Sequence, residues 1–426
     1  NRMKTYSFAY GSGTVELPLD EKNVIGELHG NAVAPLADIR AALWASLDAP
    51  IDSAPLCERA RAGDTVALVV SDMTRFWMRQ DLVVPHLVDY LTERCGVREE
   101  DITIVIANGT HIGGDEQELR TLVTDAVYDR VKVKNHDCEA KDLVYLGTTP
   151  HGTPVSIDRT AAEADLVVCL GAVTHHVMAG FGGGRKSILP GICAEKTVNE
   201  NHSFKAISSP WAKTGVLEHN PIHEDMIAAA RRVNVQFILN VALGEKKNVV
   251  AAFAGDLEEA HAAGVAFIRE QSQCPVVKGD IVVTSNGGYP LDQNLYQSPK
   301  AVATAEACCA ESGVIIMCCS CIDGMGGTNF EKLITLGTPE EIEAYLSQIP
   351  PDKTIPEQWC PQIYARILKK HKVILVTTYL DHELVRKANM IPASTPDEAL
   401  AIAYEMKGPD AKVVVIPDGV AVLAVS

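Results

Sequence analysis

The chain has 426 residues, of which 47% are hydrophobic, and this is enough material for two domains with separate cores. Its formal net charge of -17 argues against a nucleic-acid partner, because a phosphate backbone is bound by a basic surface. No apolar run approaches the roughly 18 residues that would span a bilayer. The N-terminus lacks the apolar segment of a signal peptide, and the 12 cysteines are scattered. These features predict a cytoplasmic protein with reduced thiols and no membrane partner.

The first part of the chain predicts one mostly parallel sheet. Residues Lys4–Leu19 alternate in polarity around Gly11 and predict an edge hairpin. Runs rich in β-branched residues predict four buried strands: Thr65–Ser71, Asp101–Ala107, Asp165–Gly171 and Val235–Val241. Amphipathic segments predict helices at Asp81–Cys95, Asp115–Val127 and Pro221–Val233. Continuous apolar strands that alternate with amphipathic helices are typical of a parallel sheet covered on both faces.

The same pattern resumes after a polar stretch near Cys274–Gly279. Further strands are predicted at Asp280–Ser285, Val314–Ser320, Val373–Thr378 and Val413–Ile416, and helices at Lys300–Glu311, Pro339–Ser347, Glu357–Lys370 and Pro396–Met406. We therefore predict an α/β protein with an N-terminal α/β domain over residues 1–275 and a C-terminal α/β domain over residues 276–426. Both domains should contain mostly parallel sheets flanked by helices, and we expect the active site in the interdomain cleft.

Polar side chains follow several of the predicted strands. The clusters are Asp72–Arg75, Asn108–His111, Thr174–His176 and, in the second domain, Asn286–Pro290. Taken alone, each has an ordinary structural explanation, such as a helix cap at Asp72 or Thr74 or a simple turn at Asn108. Because the carboxyl ends of parallel strands meet at one edge of a sheet, their common position predicts a shared site.

The glycine-rich segment Gly180–Ser187 (GFGGGRKS) is close to a phosphate-binding loop. Arg185 stands where that motif requires its last glycine, and Pro190 would break the helix that should follow. A nucleotide-binding phosphotransferase that uses Gly180–Ser187 is therefore an alternative function with weak support.

A run of 28 residues and four shorter motifs carry a resemblance to a known family. They are HHVMAGFGGGRKSILPGICAEKTVNENH (His175–His202), DMTR (Asp72–Arg75), NGTH (Asn108–His111), SNGGYPLDQNLYQSPK (Ser285–Lys300) and PEQWC with Trp359. Together they resemble the nickel-dependent lactate racemase family, from about residue 65 to residue 370. The long central run is the most specific of the five.

The resemblance implies a racemase or epimerase that inverts C2 of a lactate-like 2-hydroxy acid. In the family this occurs by reversible hydride transfer to a nickel-pincer nucleotide, through a 2-keto-acid intermediate. The implied cofactors are nickel and pyridinium-3-thioamide-5-thiocarboxylic acid mononucleotide, covalently attached to a lysine. The N-terminal domain would then be the one that tethers the cofactor.

Each functional position of the family has a counterpart in this chain. The resemblance implies Lys186 as the tether, His202 as the nickel ligand, His111 and His176 as acid–base residues, and Arg75, Gln297 and Lys300 as substrate-binding residues. Further cofactor contacts are implied at Asp72, Thr74, Tyr296 and Trp359, and we expect the glycine turn (Gly183, Gly184) and Arg185 to hold the nucleotide phosphate.

This residue set suits the implied chemistry. The C2 hydrogen of a 2-hydroxy acid is held too tightly for a histidine to remove it as a proton, whereas the hydroxyl proton is within reach of one. Two histidines are expected because each enantiomer presents its hydroxyl to a different base, and the pKa of histidine lies near neutrality. A guanidinium grips the substrate carboxylate in bidentate fashion. A thiolate-rich planar site favours nickel.

The implied partners are a small 2-hydroxy acid and the proteins that mature the cofactor, and the sequence leaves a homo-oligomer open. A cofactor carrier without turnover would need Lys186 and His202 but not the other polar residues. Three features depart from the family pattern: Ile112 replaces an expected basic residue, Phe76-Trp77 is bulky, and His175 adds an imidazole. They leave the identity of the 2-hydroxy acid open.

Overall fold

The N-terminal segment forms a hairpin and one further strand. The computed structural model describes residues 2–425, apart from the side chain of Gln236. Strands β1 (Met3–Tyr10) and β2 (Gly13–Asp20) pair antiparallel, and Gly11 adopts a positive φ of 55° in the turn between them. Strand β3 (Val24–Glu27) follows. The predicted edge hairpin is therefore confirmed.

Residues 32–269 form one compact unit around a six-stranded sheet. Its strands are β4 (Val66–Ser71), β5 (Ile102–Ala107), β6 (Lys132–Asn135), β7 (Val144–Thr148), β8 (Pro154–Ile157), β9 (Leu166–Ala172), β10 (His175–His176), β11 (Gly180–Phe181), β12 (Val235–Leu243) and β13 (Val249–Gly255). Its helices are α1 (Ile39–Asp48), α2 (Leu56–Arg59), α3 (Val84–Asp89), α4 (Glu116–Val123), α5 (Asp125–Tyr128), α6 (Arg159–Glu163), α7 (Glu195–Asn201), α8 (Phe204–Ile207) and α9 (Pro221–Ala230), and α10 (Glu259–Ser272) begins in it.

The sheet of this unit has the order β13-β12-β9-β4-β5-β6. All neighbouring strands are parallel except β12 and β13, which run antiparallel at one edge. The central strands β4 and β9 are buried along almost their whole length because helices cover both faces. The sequence shows this directly, since both strands are continuous apolar runs with no alternation.

Residues 270–425 form the second compact unit together with the N-terminal residues up to Asn31. Its strands are β14 (Gln273–Pro275), β15 (Gly279–Ser285), β16 (Cys309–Cys318), β17 (Lys372–Val376), β18 (Ile391–Ala393), β19 (Val413–Ile416) and β20 (Leu423–Val425). Its helices are α11 (Pro299–Ala307), α12 (Thr328–Ile334), α13 (Pro339–Ser347), α14 (Trp359–Leu368), α15 (His382–Lys387) and α16 (Pro396–Lys407). The sheet order is β18-β17-β16-β15-β19-β3, and every pair in it is parallel. The predicted α/β class with mostly parallel sheets flanked by helices is confirmed.

The division of the chain differs from the predicted one at its N-terminus. Residues up to Asn31 belong with the C-terminal unit and not with the N-terminal one. The reason is that β3 pairs with the edge strand β19, while Phe8 and Leu17 of the hairpin enter the apolar cluster that contains Val283 and Ile316. A short N-terminal strand carries no sequence signal for which sheet it joins, so this pairing was not predicted.

Several predicted helices are shorter in the structure, and α3 and α11 are two of them. Helix α3 ends at Asp89 and continues as a single π turn over Tyr90–Arg94. Helix α11 ends at Ala307, because β16 begins at Cys309, where the prediction still extended the helix. No helix within residues 2–425 has both the length and the apolar character needed to cross a membrane.

We predict that Phe8→Ala lowers the free energy of unfolding by about 3–5 kcal/mol, because Phe8 is fully buried in the core of the C-terminal unit. Thr5→Ala, at an exposed position of the same strand, should change it by less than about 0.5 kcal/mol. Urea unfolding followed by circular dichroism measures both. Equal midpoints for the two variants would contradict the packing of the hairpin on this core.

Candidate functional site

Three neighbouring strands deliver the predicted polar residues of the first unit. Strands β5, β4 and β9 lie side by side and run in parallel, so their carboxyl ends share one edge of the sheet. Asp72 follows β4, His111 lies in the loop after β5, and His176 lies in the segment after β9. The backbone N–H of Gly109 donates to the carbonyl of Gly191 at 2.9 Å, which ties the loop after β5 to the segment after β9.

Asp72 and His111 form a carboxylate–imidazole pair. Oδ2 of Asp72 lies 3.0 Å from Nδ1 of His111, and its Oδ1 accepts a hydrogen bond of 2.6 Å from the Thr74 hydroxyl. Burial opposes ionisation of Asp72, but hydrogen bonds and the nearby positive charge of Arg75 outweigh it and hold the pKa of this carboxyl below its usual value. Asp72 is therefore ionised at neutral pH and acts as a hydrogen-bond acceptor.

Lys186 lies against His176. Residues His176 and Gly180 pair as two short antiparallel strands, and the following turn brings Nζ of Lys186 to 3.3 Å from Nε2 of His176. The other ring nitrogen, Nδ1, accepts hydrogen bonds from the backbone N–H groups of Met178 and Ala179 at 3.3 Å and 3.2 Å. These contacts fix the ring of His176 relative to the lysine.

His202 presents a buried ring nitrogen that carries no hydrogen bond. It directly follows α7, and its Nε2 has no partner within the described residues 2–425. Burial, together with the positive charges of Lys186 and Arg75, lowers the pKa of His202 to about 3. The imidazole is therefore neutral at physiological pH. A neutral imidazole nitrogen without a partner is the state in which histidine binds a metal.

The contacts and electrostatic interactions link all seven predicted residues outside the glycine turn of this unit. His111 contacts Asp72, and the positive charge of Arg75 lowers the pKa of Asp72. The positive charges of Arg75 and Lys186 also lower the pKa of His202. The seven are Asp72, Thr74, Arg75, His111, His176, Lys186 and His202. The structure thus places a paired carboxylate, two imidazoles, two cations and an unpartnered nitrogen in one cluster.

The guanidinium of Arg185 faces inward, so it is not directed at a phosphate, and the phosphate contact of the glycine turn stays a prediction. Arg185 is fully buried; its guanidinium donates to the carbonyls of Phe181, Gly183 and Ala179 and to Nδ1 of His223. The N–H of Gly184 donates to the side chain of Asn240. Side chains at Gly183 or Gly184 would meet Asn240 or His261 within 3 Å. The guanidinium of Arg185 and the N–H of Gly184 are therefore engaged inside the protein.

The same geometry disfavours the phosphotransferase alternative. A phosphate-binding loop leads into a helix whose N-terminus faces the anion, whereas Gly184–Ser187 is a four-residue 3-10 turn. The side chain of Arg185 fills the space under this turn.

Three residues behind the turn were missed in the sequence. Asn240 accepts from Gly184, His261 lies 2.8 Å from the carbonyl of Gly182 through Nε2, and His223 accepts from Arg185. Asn240 had a detectable signal, since it is the one amide inside the apolar run of β12 after Phe237. The two histidines had none, because nothing in a helix sequence indicates which distant loop it supports.

A second hidden network lies behind His202, the predicted nickel ligand. The buried carboxylate of Asp225 accepts hydrogen bonds from the hydroxyls of Thr149 and Thr153 and from the amide of Asn201, the residue before His202. It thereby fixes the end of α7. No spacing in the sequence relates Asp225 to His202.

In the other unit, Tyr296 and Trp359 contact one another. The indole Nε1 of Trp359 donates to the hydroxyl of Tyr296 at 3.0 Å, and the two rings meet edge to face with centroids 5.3 Å apart. The structure therefore brings together two side chains that are 63 residues apart in the sequence.

Gln297 and Lys300 lie around the start of α11, on a segment organised by Asn286. The amide of Asn286 donates to the carbonyls of Leu291 and Gln297, and its oxygen accepts from the N–H of Ala301. Oε1 of Gln297 is buried and has no partner among the atoms of residues 2–425. It is therefore available as an acceptor for a ligand. Asn286 directly follows β15 and opens the polar cluster Asn286–Pro290, but sequence reasoning gave this residue no role of its own.

The three departures from the family pattern have different surroundings. His175 is buried, with its ring 5.6 Å from that of Phe181. Phe76 and Trp77 are partly buried and pack against the core of their unit, so they anchor the loop that carries Arg75. Ile112, next to His111, is 96% exposed.

Comparisons with known proteins find lactate racemases that match nearly the whole chain. Residues 10–215 match the family model described as the lactate racemase N-terminal domain, and residues 274–424 match the lactate racemase C-terminal domain. The chain is 39% identical to a lactate racemase of Lactiplantibacillus plantarum, over 99% of this chain and 100% of that protein. It is 37% identical to a lactate racemase of Thermoanaerobacterium thermosaccharolyticum, over 99% of each. The structure of the lactate racemase apoprotein from the latter organism superposes with a TM-score of 0.93 at 36% identity, covering 99% and 100% of the two chains.

We predict an acid-dependent loss of stability to which His261 contributes. Burial, assisted by the nearby Arg185 charge, lowers the pKa of His261 to about 3, so the unfolded chain binds more protons below about pH 6.5. This contribution is complete above that pH and is lost as the pH falls towards 3. The free energy of unfolding, measured with urea, should fall between pH 7 and pH 5 by about 2 kcal/mol less in His261→Gln than in the unmodified protein. His219→Gln, at an exposed position, should lose as much as the unmodified protein, and an equal loss in His261→Gln would contradict the assignment.

Proposed function

We propose that this chain, which belongs to the lactate racemase family, inverts C2 of a 2-hydroxy acid such as lactate. The observation that carries the proposal is the cluster of His111, His176, Arg75, Lys186 and His202 at one sheet edge. Members of this family are isomerases of the racemase type, and this chain is one of them. The geometry supports the same class of chemistry because it supplies two bases and a cationic group for a carboxylate.

We further propose that a nickel-pincer nucleotide is held by Lys186 and His202. The fit rests on His202, whose buried Nε2 lacks a partner anywhere in residues 2–425 and whose ring is neutral. The positive charge of Lys186 contributes to the lowered pKa of His202, which supports placing a group attached to Lys186 near that imidazole. When bound, this group supplies an electrophilic ring carbon that can accept hydride from C2 and return it.

Arg75 is the proposed anchor for the substrate carboxylate. Its guanidinium lies near the ionised Asp72, and Phe76 and Trp77 hold its loop against the core. A bidentate guanidinium–carboxylate pair fixes orientation as well as charge, and this is needed when the reacting carbon is adjacent to the carboxylate. Gln297 and Lys300 of the other unit are proposed as further substrate contacts. The unpartnered Oε1 of Gln297 can accept a substrate hydroxyl.

His111 and His176 are proposed to move the hydroxyl proton. Each imidazole addresses the hydroxyl of one enantiomer, takes its proton as C2 loses hydride, and returns a proton when hydride comes back. Asp72 orients His111 and stabilises the imidazolium that forms there, because an ionised carboxylate lies 3.0 Å from Nδ1. Thr74 in turn holds Asp72. Tyr296 and Trp359, which pack together, are proposed to form a wall of the cofactor site.

The proposed setting is the cytoplasm, with maturation proteins as partners. All 12 cysteines are free thiols, and nine of them are buried, which suits a reducing compartment. Proteins that build the nucleotide are proposed as partners because the resemblance to the family implies them.

Chiral chromatography tests the proposed function. The chain is co-produced with pincer-nucleotide maturation proteins and nickel, and is then incubated with single enantiomers of short aliphatic, aromatic and dicarboxylic 2-hydroxy acids. Appearance of the opposite enantiomer supports the proposal and identifies the substrate. No inversion of any member by protein that carries both nickel and the nucleotide would reject it.

We predict that Lys186→Ala abolishes covalent attachment of the nucleotide, because no other amine in the cluster lies beside His176. The intact mass of the co-produced variant should equal that of the bare chain. Lys205→Ala, at an exposed position, should retain the adduct and serves as the control. A nucleotide adduct of normal occupancy on Lys186→Ala would refute the tether.

We predict that His111→Ala and His176→Ala each slow racemisation by about 10²–10⁴-fold, the usual contribution of a positioned acid–base group. Neither variant should lose the covalent nucleotide, since neither removes the amine. The exposed His219→Ala should behave as the unmodified protein. Rates are measured by chiral chromatography from each enantiomer, and near-normal rates in either cluster variant would contradict the scheme of two bases.

A further inference from the structure

The loop after β4 carries Asp72 and Arg75, and one buried amide holds it. This amide belongs to Gln80, which ends the loop and is buried. Its Nε2 lies 3.1 Å from the carbonyl oxygen of Ser71, 3.4 Å from that of Asp72 and 3.2 Å from that of Arg75. A single side chain therefore joins the last residue of β4 to two residues of the cluster.

The surroundings of Gln80 decide which way its amide points. A carbonyl oxygen only accepts hydrogen bonds, so the nitrogen of the amide must face the three carbonyls. The reverse orientation would place its oxygen, Oε1, against three acceptors. With two N–H groups for three carbonyls, one N–H is shared between two of them. Gln80 thus gives both of its donors to the backbone of one loop.

The backbone of the loop bends so that the side chain of Gln80 can reach these carbonyls. Residues Met73–Met78 form a short 3-10 helix that is kinked at Arg75, where φ is -116° and ψ is 28°. Arg79 then adopts the left-handed conformation, with φ 52° and ψ 53°, and changes the direction of the chain. The side chain of Gln80 thereby returns to the carbonyl of Ser71, where the loop begins.

The other contacts that hold this loop are apolar. Phe76 and Trp77 pack against the core of their unit. Apolar contacts are non-directional, whereas a hydrogen bond depends on both distance and angle. Gln80 therefore adds a directional constraint, and it does so at the carbonyl of Arg75 itself.

We propose that Gln80 is the positioning residue that holds Arg75 in place for the substrate carboxylate. This inference rests on the proposed function, in which Arg75 is the anchor and Asp72 orients His111. A bidentate grip needs the guanidinium in one orientation, and the backbone that carries it contributes to that orientation. Because the same amide bonds the carbonyl of Asp72, it also links the anchor to the carboxylate that orients His111.

Hydrogen–deuterium exchange of the chain made without maturation proteins tests whether Gln80 holds the loop. Gln80→Met fills a similar volume without donors. We expect the backbone amides of residues 72–79 to exchange about tenfold faster in this variant, the ratio that follows from the loss of one or two net hydrogen bonds. Gln117→Met, at an exposed position of α4, is the matched control and should leave this exchange unchanged. Equal exchange in Gln80→Met and the unmodified chain would overturn the proposal.

Kinetics of the protein loaded with nickel and the nucleotide separate positioning from a purely structural role. KM does not depend on how much of the protein is folded, so a purely structural role leaves it unchanged. We expect Gln80→Met to raise KM for the racemised 2-hydroxy acid about three- to tenfold, because the guanidinium of Arg75 must then be ordered when the substrate binds. Gln117→Met should keep the KM of the unmodified protein. An unchanged KM in folded, loaded Gln80→Met would reject Gln80 as a positioning residue.

Gln80→Asn keeps the test decisive if Gln80→Met does not fold. It retains an amide but withdraws it by one carbon, so it should show the same faster exchange and the same higher KM. Faster exchange in a variant, together with no racemisation of any 2-hydroxy acid by the unmodified loaded protein, would reject the proposed function alone. Unchanged exchange and KM in variants of an active racemase would reject the role of Gln80 alone.

Discussion

A guanidinium buried beneath a glycine turn is the interaction on which the proposed site depends. Arg185 donates to three carbonyls of the segment Ala179–Gly183, so it fixes the backbone directly before Lys186. Burying a cation without a carboxylate is costly, and here the cost is offset by carbonyl dipoles and by the neutral His223. Burial lowers the pKa of Arg185 to about 9, which still leaves the side chain charged at neutral pH.

Neutral histidines around this cation follow from the same electrostatics. Burial, reinforced by the Arg185 charge, lowers the pKa of His223 to about 3, so its Nδ1 keeps the lone pair that accepts from Arg185. His202 reaches a similar state through burial and the charges of Lys186 and Arg75. A cationic, desolvated environment therefore serves two ends: it keeps imidazoles neutral as hydrogen-bond acceptors or metal ligands, and it favours an anionic substrate.

The sequence predicts most of the sheets and the residues of the cluster, but not what supports them. Buried parallel strands such as Leu166–Ala172 are detectable because they are short, continuous apolar runs rich in β-branched residues. A cation beside glycines resembles a phosphate site in the sequence, and only tertiary packing shows that the guanidinium of Arg185 already has partners inside the protein. The pairing of β3 with β19 and the contact of Asp225 with Asn201 join distant segments, and one sequence without related sequences holds no record of such contacts.

Two buried atoms without partners within residues 2–425, one in each unit, are the strongest structural argument that these residues bind a ligand. Leaving a buried polar atom unsatisfied costs about 1–3 kcal/mol, a sizeable part of the net stability of a folded domain. Nε2 of His202 and Oε1 of Gln297 both carry this cost within the described chain. The Asp225 network and Asn286 hold the backbone beside them, so neither side chain is left to relax towards water. Because the fold holds these two atoms away from water, a ligand that supplies the missing hydrogen-bond partners stabilises the site when it binds.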